Sequence, residues 1–298
     1  MRVFLTGATG FIGSRVLPEL LAAGHQVLGL TRSDGGAKAL ADAGADAHRG
    51  TLEDLDSLRA GAEQADAVLH TAFDHDFANF VANCEKDRRV IEAMGSVLKG
   101  SDRPLIVTSG VGLGATQPGQ TAIETVFDVH SHHPRAASEQ AAEALLQQGV
   151  NVSVVRLPQV HDTVKQGLIS PYIAVAKGKG RVGYVGEGGN RWSAAHVGDV
   201  ARLYALALAH AEPGIRHHAV AEEGVAMREI AEVVAHGLGL PAVSLSGDEV
   251  ESYFGWMALF AGVDMVASSA ITRERLGWTP TGPGLLEDLK RMDYSQVG

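Results

Sequence analysis

Short apolar runs and longer amphipathic stretches alternate along the first half of the chain. The run Val3-Phe4-Leu5 predicts a buried strand, and the stretch 11–23 after it, which ends before Gly24, predicts a helix. The other runs that predict strands are 26–30, 47–49, 67–71, 105–108 and 152–156. Helices are predicted between them at 37–43, 55–61, 77–98 and 136–148. This order predicts a parallel, doubly wound sheet with right-handed crossovers.

The regular alternation stops after Pro158. Helices are predicted at 171–177, 200–210, 227–237 and 284–292, with one short strand at 217–220. The sequence has no internal repeat, low-complexity tract or linker. We therefore predict a sheet domain over residues 1–160 and a smaller lobe over 161–298, with a substrate cleft between them. Some segments of the lobe are free to return to the sheet.

A glycine-rich turn with the sequence GATGFIG, at residues 7–13, connects the first strand to the first helix. The bare Cα of Gly10 lets a diphosphate approach the backbone, and Gly13 lets the helix pack closely on the sheet. The start of the helix offers unpaired N–H groups and the positive end of the helix dipole to an anion. This context predicts a Rossmann-type dinucleotide site; the alternative is a turn with a structural role only.

Arg32 and Ser33 follow the second predicted strand. Proteins that bind NAD(H) usually carry an acidic residue about twenty residues after the glycines, where it binds the ribose 2′-OH. A guanidinium at that place suits a 2′-phosphate instead, and Ser33 adds a hydroxyl donor. These residues favour NADP(H) over NAD(H); the alternative is that Arg32 faces solvent and Asp34 binds the ribose.

Composition narrows the function classes. The 298 residues are 45% hydrophobic with a mean hydropathy of +0.04, as expected for a globular protein with a sizeable core. A formal charge of −10 and the lack of a basic stripe argue against a nucleic-acid partner. We expect no membrane span and no signal peptide. The single cysteine, Cys84, rules out an intramolecular disulfide and fits a cytoplasmic location.

Five segments together resemble the short-chain dehydrogenase/reductase superfamily, in its extended or atypical branch. They are TGATGFIG at 6–13, VTSG at 107–110, RLP at 156–158, WSAAHVGDVA at 192–201 and LGWTP at 276–280. The resemblance covers nearly the whole chain. It implies an α/β fold of the Rossmann type, with a doubly wound parallel sheet, a smaller C-terminal substrate lobe and a nicotinamide laid across the carboxyl ends of the strands.

The resemblance also implies which residues contact the cofactor. The glycine turn would hold the diphosphate, Arg32 the 2′-phosphate, and the segment 158–160 would lie beside the nicotinamide. The implied cofactor-binding residues are Gly7, Thr9, Gly10, Phe11, Ile12, Arg32, Ser33, Leu52, Thr71, Ala72, Phe73, Thr108, Pro158, Gln159 and Val160. Ser109, near the end of a predicted strand, would polarise the substrate oxygen.

One pair of residues departs from the superfamily, in which a Tyr donates the proton and a Lys four residues later lowers its pKa. Arg135 stands at the Tyr position and Glu139 at the Lys position. Arg135 is a poor proton donor at neutral pH because its pKa exceeds about 12. It can instead clamp a carboxylate or a developing oxyanion. The alternative is a surface ion pair with Glu139, one helical turn later.

Histidine is the natural replacement as proton donor, because its ordinary pKa of about 6.5 lies near physiological pH. The candidates are His161 beside the nicotinamide segment, His133 before the helix of Arg135, and His75 after the predicted strand 67–71. No metal is predicted at the cluster 130–133, since adjacent histidines do not readily share one ion.

Two features of the C-terminal part carry structural predictions. His196-Val197 leads into a predicted helix, which we expect Asp199 to cap. The apolar residues Phe254, Trp256, Met257 and Phe260 fit either the lining of a pocket or the core.

These features together predict an NADP(H)-dependent oxidoreductase that acts on a small or medium organic carbonyl, enone or alcohol. Two alternatives stay open. One is a nucleotide-sugar epimerase or dehydratase, and the other is a regulatory or sensor protein that binds NADP(H) without turnover. The expected partner is a small-molecule substrate, and neither nucleic acid nor membrane is expected. The sequence leaves open the substrate, the reaction direction and the choice between monomer and homodimer.

Overall fold

The central element of the computed structural model, which describes residues 1–296, is a seven-stranded parallel sheet. Its strands are β1 (Arg2–Thr6), β2 (Gln26–Thr31), β3 (Asp46–Arg49), β4 (Ala67–His70), β5 (Leu105–Gly110), β6 (Val152–Leu157) and β10 (Arg216–His218). They lie in the order β10-β6-β5-β4-β1-β2-β3, with every neighbouring pair parallel. The chain builds the sheet outward in one direction from β1 and in the other from β4. The connections after these two strands therefore go to opposite faces of the sheet and leave a crevice at their carboxyl ends.

Helices cover both faces of the sheet, because successive residues of each strand point to opposite faces. They are α1 (Gly13–Ala22), α2 (Asp34–Asp42), α3 (Leu55–Glu63), α4 (Phe80–Ser96), α5 (Ala136–Gln147) and α7 (Val197–His210). Helices α1 and α7 pack over Leu5 and Ile106, whereas α3, α4 and α5 pack over Phe4 and Val107. The predicted α/β fold with a doubly wound, Rossmann-type sheet is confirmed.

Most remaining elements form a smaller lobe with its own core. Strands β7 (Gln159–His161), β9 (Arg191–His196) and β11 (Glu222–Ala226) form one sheet, and β8 (Val182–Val185) pairs with β12 (Ala242–Leu245). The helices of this lobe are α6 (Ile169–Lys179), α8 (Met227–Leu238), α9 (Asp248–Phe254), α10 (Ala258–Ala261) and α12 (Leu285–Arg291). Helix α11 (Ala270–Leu276) packs instead against α7 and β10 of the sheet domain. Tyr172, Trp192 and Ile230 are buried in this core. Over residues 1–296, no helix has the length and apolar character needed to cross a membrane.

The chain does not divide cleanly at residue 160. Helix α7 packs against α1, and β10 pairs with β6, so two later segments return to the sheet. The single helix predicted over 77–98 begins as a separate 3-10 turn, Phe77–Asn79, before α4. Helix α1 begins at Gly13, which leaves Phe11 and Ile12 within the glycine turn.

The predicted cap at Asp199 is wrong. His196 is the N-cap of α7, and its Nδ1 accepts a hydrogen bond from the Gly198 N–H at 3.1 Å. Asp199 is buried in the first turn, where its carboxylate accepts hydrogen bonds from the N–H groups of Thr281 and Gly282 at 2.8 and 2.9 Å. It therefore anchors the C-terminal segment to α7, a pairing between distant parts of the chain that helix spacing does not reveal.

We expect the folded state to lose stability as the pH falls from about 6.5 to about 4, because buried His217 and His218 favour the neutral form. His218 Nδ1–H donates to the Ser268 carbonyl at 2.8 Å, and its Nε2 accepts from Arg156 at 3.2 Å. Burial, followed by Arg156, lowers the pKa of His218 to about 4, against the partial opposition of Glu124. Burial also lowers the pKa of His217 to about 4.

The unfolded chain takes up these protons near pH 6.5, whereas the folded protein resists protonation down to about pH 4. Each histidine therefore lowers the free energy of unfolding by up to about 3 kcal/mol across this interval. Urea unfolding at several pH values measures the loss. A His218→Gln variant should show a weaker pH dependence, and His236→Gln, at an exposed position, should match the parent protein. Equal pH dependence in all three proteins would contradict the prediction.

Candidate active site

The glycine turn lies at the carboxyl end of β1, beside the segment that follows β4. Gly7 has a φ of 70°, and a Cβ on it would lie 2.8 Å from the Ala72 backbone nitrogen. A Cβ on Gly13 would lie 2.1 Å from the Gly7 carbonyl oxygen. Gly10 is exposed, and its N–H closes the turn by donating to the Gly7 carbonyl at 2.8 Å. The turn therefore needs glycine at positions 7 and 13, where a side chain would collide with the segment after β4 or with the turn's own backbone.

Backbone donors in this turn lack partners. Among the described residues, the N–H groups of Phe11 and Ile12 donate to no acceptor, and α1 begins without a side-chain cap. The following segment is fixed beside the turn, because Thr71 Oγ1 donates to the Thr6 carbonyl at 2.7 Å and the Ala72 N–H donates to Thr6 Oγ1 at 3.3 Å. Free amides at a helix start, next to exposed bare Cα atoms, fit a dinucleotide diphosphate.

Arg32 is exposed just beyond β2. Its neighbour Ser33 is the N-cap of α2, with Oγ accepting a hydrogen bond from the Gly36 N–H at 3.1 Å. The Ser33 hydroxyl hydrogen is not used by this cap, so capping and a bond to phosphate are compatible. The alternative ribose ligand, Asp34, forms an ion pair with Arg49 at 3.0 Å. Arg32 has no ion-pair partner among the described residues, so its guanidinium is available to an anion at the end of β2.

Lys165 adds a positive charge beside the glycine turn, a feature that the sequence analysis missed. Its Nζ lies 5.7 Å from the centre of the Phe11 ring. The loop that carries it is fixed by Asp162, whose Oδ1 accepts hydrogen bonds from the N–H groups of Val164 and Lys165 at 2.7 Å. Asp162 also pairs with Arg15 of α1 at 3.5 Å. This cation borders the place where a diphosphate fits.

Arg135 does not form the surface pair with Glu139 that was the alternative at this position. Its NH1 donates to Asp87 Oδ2 at 2.8 Å, and its NH2 donates to the Thr108 carbonyl at 2.8 Å. The guanidinium carbon lies 4.4 Å from the centre of the Phe73 ring. Within residues 1–296, Arg135 Nε has no acceptor, so this group is available to a ligand.

Asp87, from α4, is a buried residue at the centre of this site that the sequence analysis missed. Its Oδ1 accepts a hydrogen bond from His70 Nε2 at 2.9 Å, and Ser138 Oγ donates to its Oδ2 at 2.5 Å. With Nε2 as donor, His70 Nδ1 accepts from Thr6 Oγ1 at 2.7 Å. Burial opposes ionisation, but Arg135 and His70 outweigh it and lower the pKa of Asp87. A continuous network thus connects Arg135 with the start of the glycine turn.

Glu139 is fully buried and pairs with Arg156 of β6, from whose Nε and NH2 it accepts hydrogen bonds at 2.7 and 2.8 Å. Arg216 donates to the same carboxylate at 2.9 Å. Burial opposes ionisation of Glu139, but the hydrogen bond and charge of Arg156 hold the pKa of its carboxyl below the usual value. The residue at the family's Lys position therefore stabilises the structure rather than facing a ribose.

Ser109 and His161 are both buried. Ser109 is 3% exposed, and its hydroxyl lies near the Glu139 carboxylate, whose pKa it helps to lower, although no partner meets full hydrogen-bonding geometry in the described part of the chain. His161 is 0% exposed, and its Nδ1 lies 2.7 Å from Asp288 Oδ2 of α12. Burial, partly offset by Asp288, lowers the pKa of His161. Its Nε2 has no hydrogen-bond partner in the described part of the chain, and the predicted proton transfer stays a prediction.

His133 and His75 each keep an exposed edge. His133 Nδ1 accepts the Arg135 N–H at 3.2 Å, so the neutral ring carries its proton on Nε2. Partial burial and the nearby Arg135 charge lower the pKa of His133. Burial is also the largest cause that lowers the pKa of His75, whose ring lies 5.4 Å from that of Phe73. Of the histidine candidates, His133 is therefore the one hydrogen-bonded to Arg135, whose Nε–H is free.

The remaining residues predicted to contact the cofactor differ in whether their side chains already have hydrogen-bond partners. Thr108 Oγ1 donates to the His70 carbonyl at 2.6 Å and lies 2.5 Å from the Tyr204 hydroxyl, so its side chain is committed. Gln159 Oε1 accepts from the Leu168 N–H at 3.0 Å. Val160 is buried, whereas Leu52 and Pro158 are half-buried. Their predicted cofactor contacts stay predictions.

Comparison with known proteins adds a family-level result. A family model described as "NAD dependent epimerase/dehydratase family" matches residues 3–221. The chain is 44% identical to the uncharacterized protein C2A9.02 of Schizosaccharomyces pombe, over 99% of this chain and 100% of that protein. It is 26% identical to UDP-glucose 4-epimerase of Streptomyces lividans, over 94% and 92% of the two chains. The solved structure of DesIV, a dTDP-glucose 4,6-dehydratase from Streptomyces venezuelae with NAD and TYD bound, superposes with a TM-score of 0.77 at 19% identity, over 98% and 96% of the two chains.

Proposed function

Because this chain belongs to the NAD dependent epimerase/dehydratase family, we propose that it is an oxidoreductase that uses NADP(H) in preference to NAD(H). The proposed substrate is a small or medium organic carbonyl, enone or alcohol. The observation that carries the proposal is the crevice itself, where a glycine turn with free amides lies one strand away from the exposed Arg32.

Each part of the crevice has a proposed role in binding the dinucleotide. The backbone of Gly7, Thr9, Gly10, Phe11 and Ile12 binds the diphosphate, with Lys165 as an added positive charge. Arg32 and Ser33 bind the 2′-phosphate, and Thr71, Ala72 and Phe73 cover the ribose. When bound, the nicotinamide supplies or accepts a hydride.

Arg135 takes the place of the missing Tyr at the substrate oxygen. Its free Nε–H stabilises the negative charge that develops there, while Asp87 and Thr108 hold the guanidinium in place. The His133 ring, just before the same helix, keeps its proton on Nε2 and donates a second hydrogen bond at this oxygen, while a water molecule delivers or accepts the proton. Ser109 and His161 rank below these two because both are buried.

Replacing Arg32 with Asp should reverse the cofactor preference. The carboxylate repels a 2′-phosphate and accepts a hydrogen bond from a ribose 2′-OH, so NADPH affinity should fall by about a hundredfold and NADH affinity should rise. Thermal-shift titration with both cofactors measures the change, because ligand at 100 times its Kd adds about 2.7 kcal/mol of stability. Arg181→Asp, in the C-terminal lobe, is a control for the change of charge. An unchanged preference would remove Arg32 from the phosphate site.

Turnover distinguishes the proposed function from its alternatives. NADPH oxidation, followed by absorbance with a panel of aldehydes, ketones and enones, should reveal a substrate. Conversion of a nucleotide sugar without net NADPH consumption would favour the epimerase or dehydratase alternative, which is the activity named for the Streptomyces relatives. Tight NADPH binding with no reaction on either class would favour the sensor alternative.

A further inference from the structure

Five aromatic side chains from both parts of the molecule form a continuous cluster, here called the aromatic wall: Phe73, Phe77, Phe80, Trp256 and Phe260. The rings of Phe77 and Trp256 are stacked, with centroids 4.5 Å apart and planes 4° from parallel. Phe260 meets Phe77, Phe80 and Trp256 edge to face at 6.2 to 6.5 Å. Phe73 meets Phe80 at 6.4 Å. The wall therefore joins the segment after β4 to the segment after α9.

The wall is adjacent to the candidate reacting groups. Phe73 lies under the Arg135 guanidinium at 4.4 Å, and the His133 ring lies 6.4 Å from that of Phe80. All five aromatic side chains are half-buried, so none is enclosed in a core. The sequence left open whether Phe254, Trp256, Met257 and Phe260 line a pocket or fill the core. Phe254 and Met257 are buried in the core, whereas Trp256 and Phe260 keep exposed surface.

The charges around the wall disfavour a phosphate-bearing substrate. At the Trp256 end of the wall, a groove of about 610 Å³ is lined by residues between 247 and 259, and the one ionisable residue among its described lining is acidic, Glu251. Lys86, at the Rossmann side, is paired with Glu53 and Asp74, both at 2.8 Å. Arg135 is paired with Asp87. Lys165 also acts on this region, since its charge reaches His75, whose ring meets those of Phe73 and Phe77. Its Nζ lies over the Phe11 ring of the glycine turn, where the proposed cofactor diphosphate neutralises it. Lys86, Arg135 and Lys165 then offer no unpaired charge to a second diphosphate.

We propose that the substrate is an uncharged aromatic or conjugated planar carbonyl compound, held against the aromatic wall with its oxygen directed to Arg135. This inference rests on the proposed oxidoreductase function and narrows its substrate class. Aromatic rings bind a planar π system more favourably than the buried apolar area alone would predict, through stacked and edge-to-face contacts. The Arg135 Nε–H then supplies the polar contact that orients the carbonyl.

The test compares benzaldehyde with butanal in Trp256→Leu, which keeps apolar volume but removes the stacked ring. The parent protein should prefer benzaldehyde by about tenfold in kcat/KM, and Trp256→Leu should remove most of this preference through KM. Butanal kinetics should change less than about twofold. Val263→Ala, a control at a 45% exposed position that does not line this groove, should behave like the parent.

Binding without cofactor gives a second readout, by calorimetry with cinnamyl alcohol and with UDP-glucose. Cinnamyl alcohol should bind the parent about tenfold more tightly than it binds Trp256→Leu. Equal binding to both proteins, no binding to the parent, or tighter binding of UDP-glucose would overturn the inference. Turnover of butanal and benzaldehyde at equal rates would also overturn it while leaving the oxidoreductase function intact. If no carbonyl is reduced, the proposed oxidoreductase function fails. The calorimetry still tests whether the aromatic wall binds planar aromatic compounds, because it needs no turnover.

Discussion

Replacing Glu139 with Ala is expected to lower the free energy of unfolding by about 3–5 kcal/mol, because the change leaves a buried guanidinium without its counter-charge. Glu139 and Arg156 are both 0% exposed, and two hydrogen bonds of 2.7 and 2.8 Å join them. Arg216 also loses an acceptor at 2.9 Å. Such a loss is a large part of the roughly 5–15 kcal/mol that keeps a domain folded.

Urea unfolding near neutral pH measures this loss, with Glu143→Ala as the matched control. Glu143 lies one turn later on α5, and it accepts from Arg216 at 3.2 Å with its side chain 28% exposed, so its removal should cost less than about 1 kcal/mol. Glu139→Gln, which keeps one acceptor oxygen but no charge, should fall between the two. Similar losses for Glu139→Ala and Glu143→Ala would show that the buried pair does not form.

The sheet domain could be predicted because each of its units carries a local signal. Val3, Phe4 and Leu5 are fully buried on both faces of β1, and they are followed at once by the glycines that the turn requires. The same holds for β5 and β6, whose apolar runs are buried as predicted. Local patterns do not show which later segments rejoin the sheet, so the returns of α7 and β10 were left unspecified.

The candidate site was predicted less completely, because its connections join distant parts of the chain. Asp87 lies 17 residues from His70 and 48 residues from Arg135, and its polar neighbours on α4 give no sign that it is buried. Likewise, the spacing of Arg135 and Glu139 suggested a pair along one helix. The fold instead directs the first to Asp87 and the second to Arg156, since buried charges require the partners that tertiary packing brings to them.

Replacing Asp87 with Asn is expected to lower kcat for carbonyl reduction by about a hundredfold, because the Arg135 donor loses the charge that positions it. The amide oxygen can still accept from His70 Nε2, so the link to Thr6 and the glycine turn is kept. The amide NH₂ group then faces Arg135 and Ser138, which both act as donors there. Cofactor affinity should therefore change by only a few-fold, and the loss should appear in kcat rather than in binding.

Steady-state kinetics with separate NADPH titration measures this division between kcat and cofactor affinity. Asp76→Asn is the matched control, since Asp76 is exposed and its carboxylate bonds only to Ala78 and Asn79 of the short turn before α4. Arg135→Lys should show the same kcat defect as Asp87→Asn, because an ammonium cannot bridge Asp87 and the Thr108 carbonyl as the planar fork does. A variant at Asp87 that is less stable but reduces carbonyls at the parental kcat would mean that Arg135 does not act at the substrate oxygen. Because Asp87 and Arg135 form a single ion pair, the two variants are a joint test: loss of the pair should lower kcat in both, whereas a purely structural role should lower stability and leave kcat at the parental value.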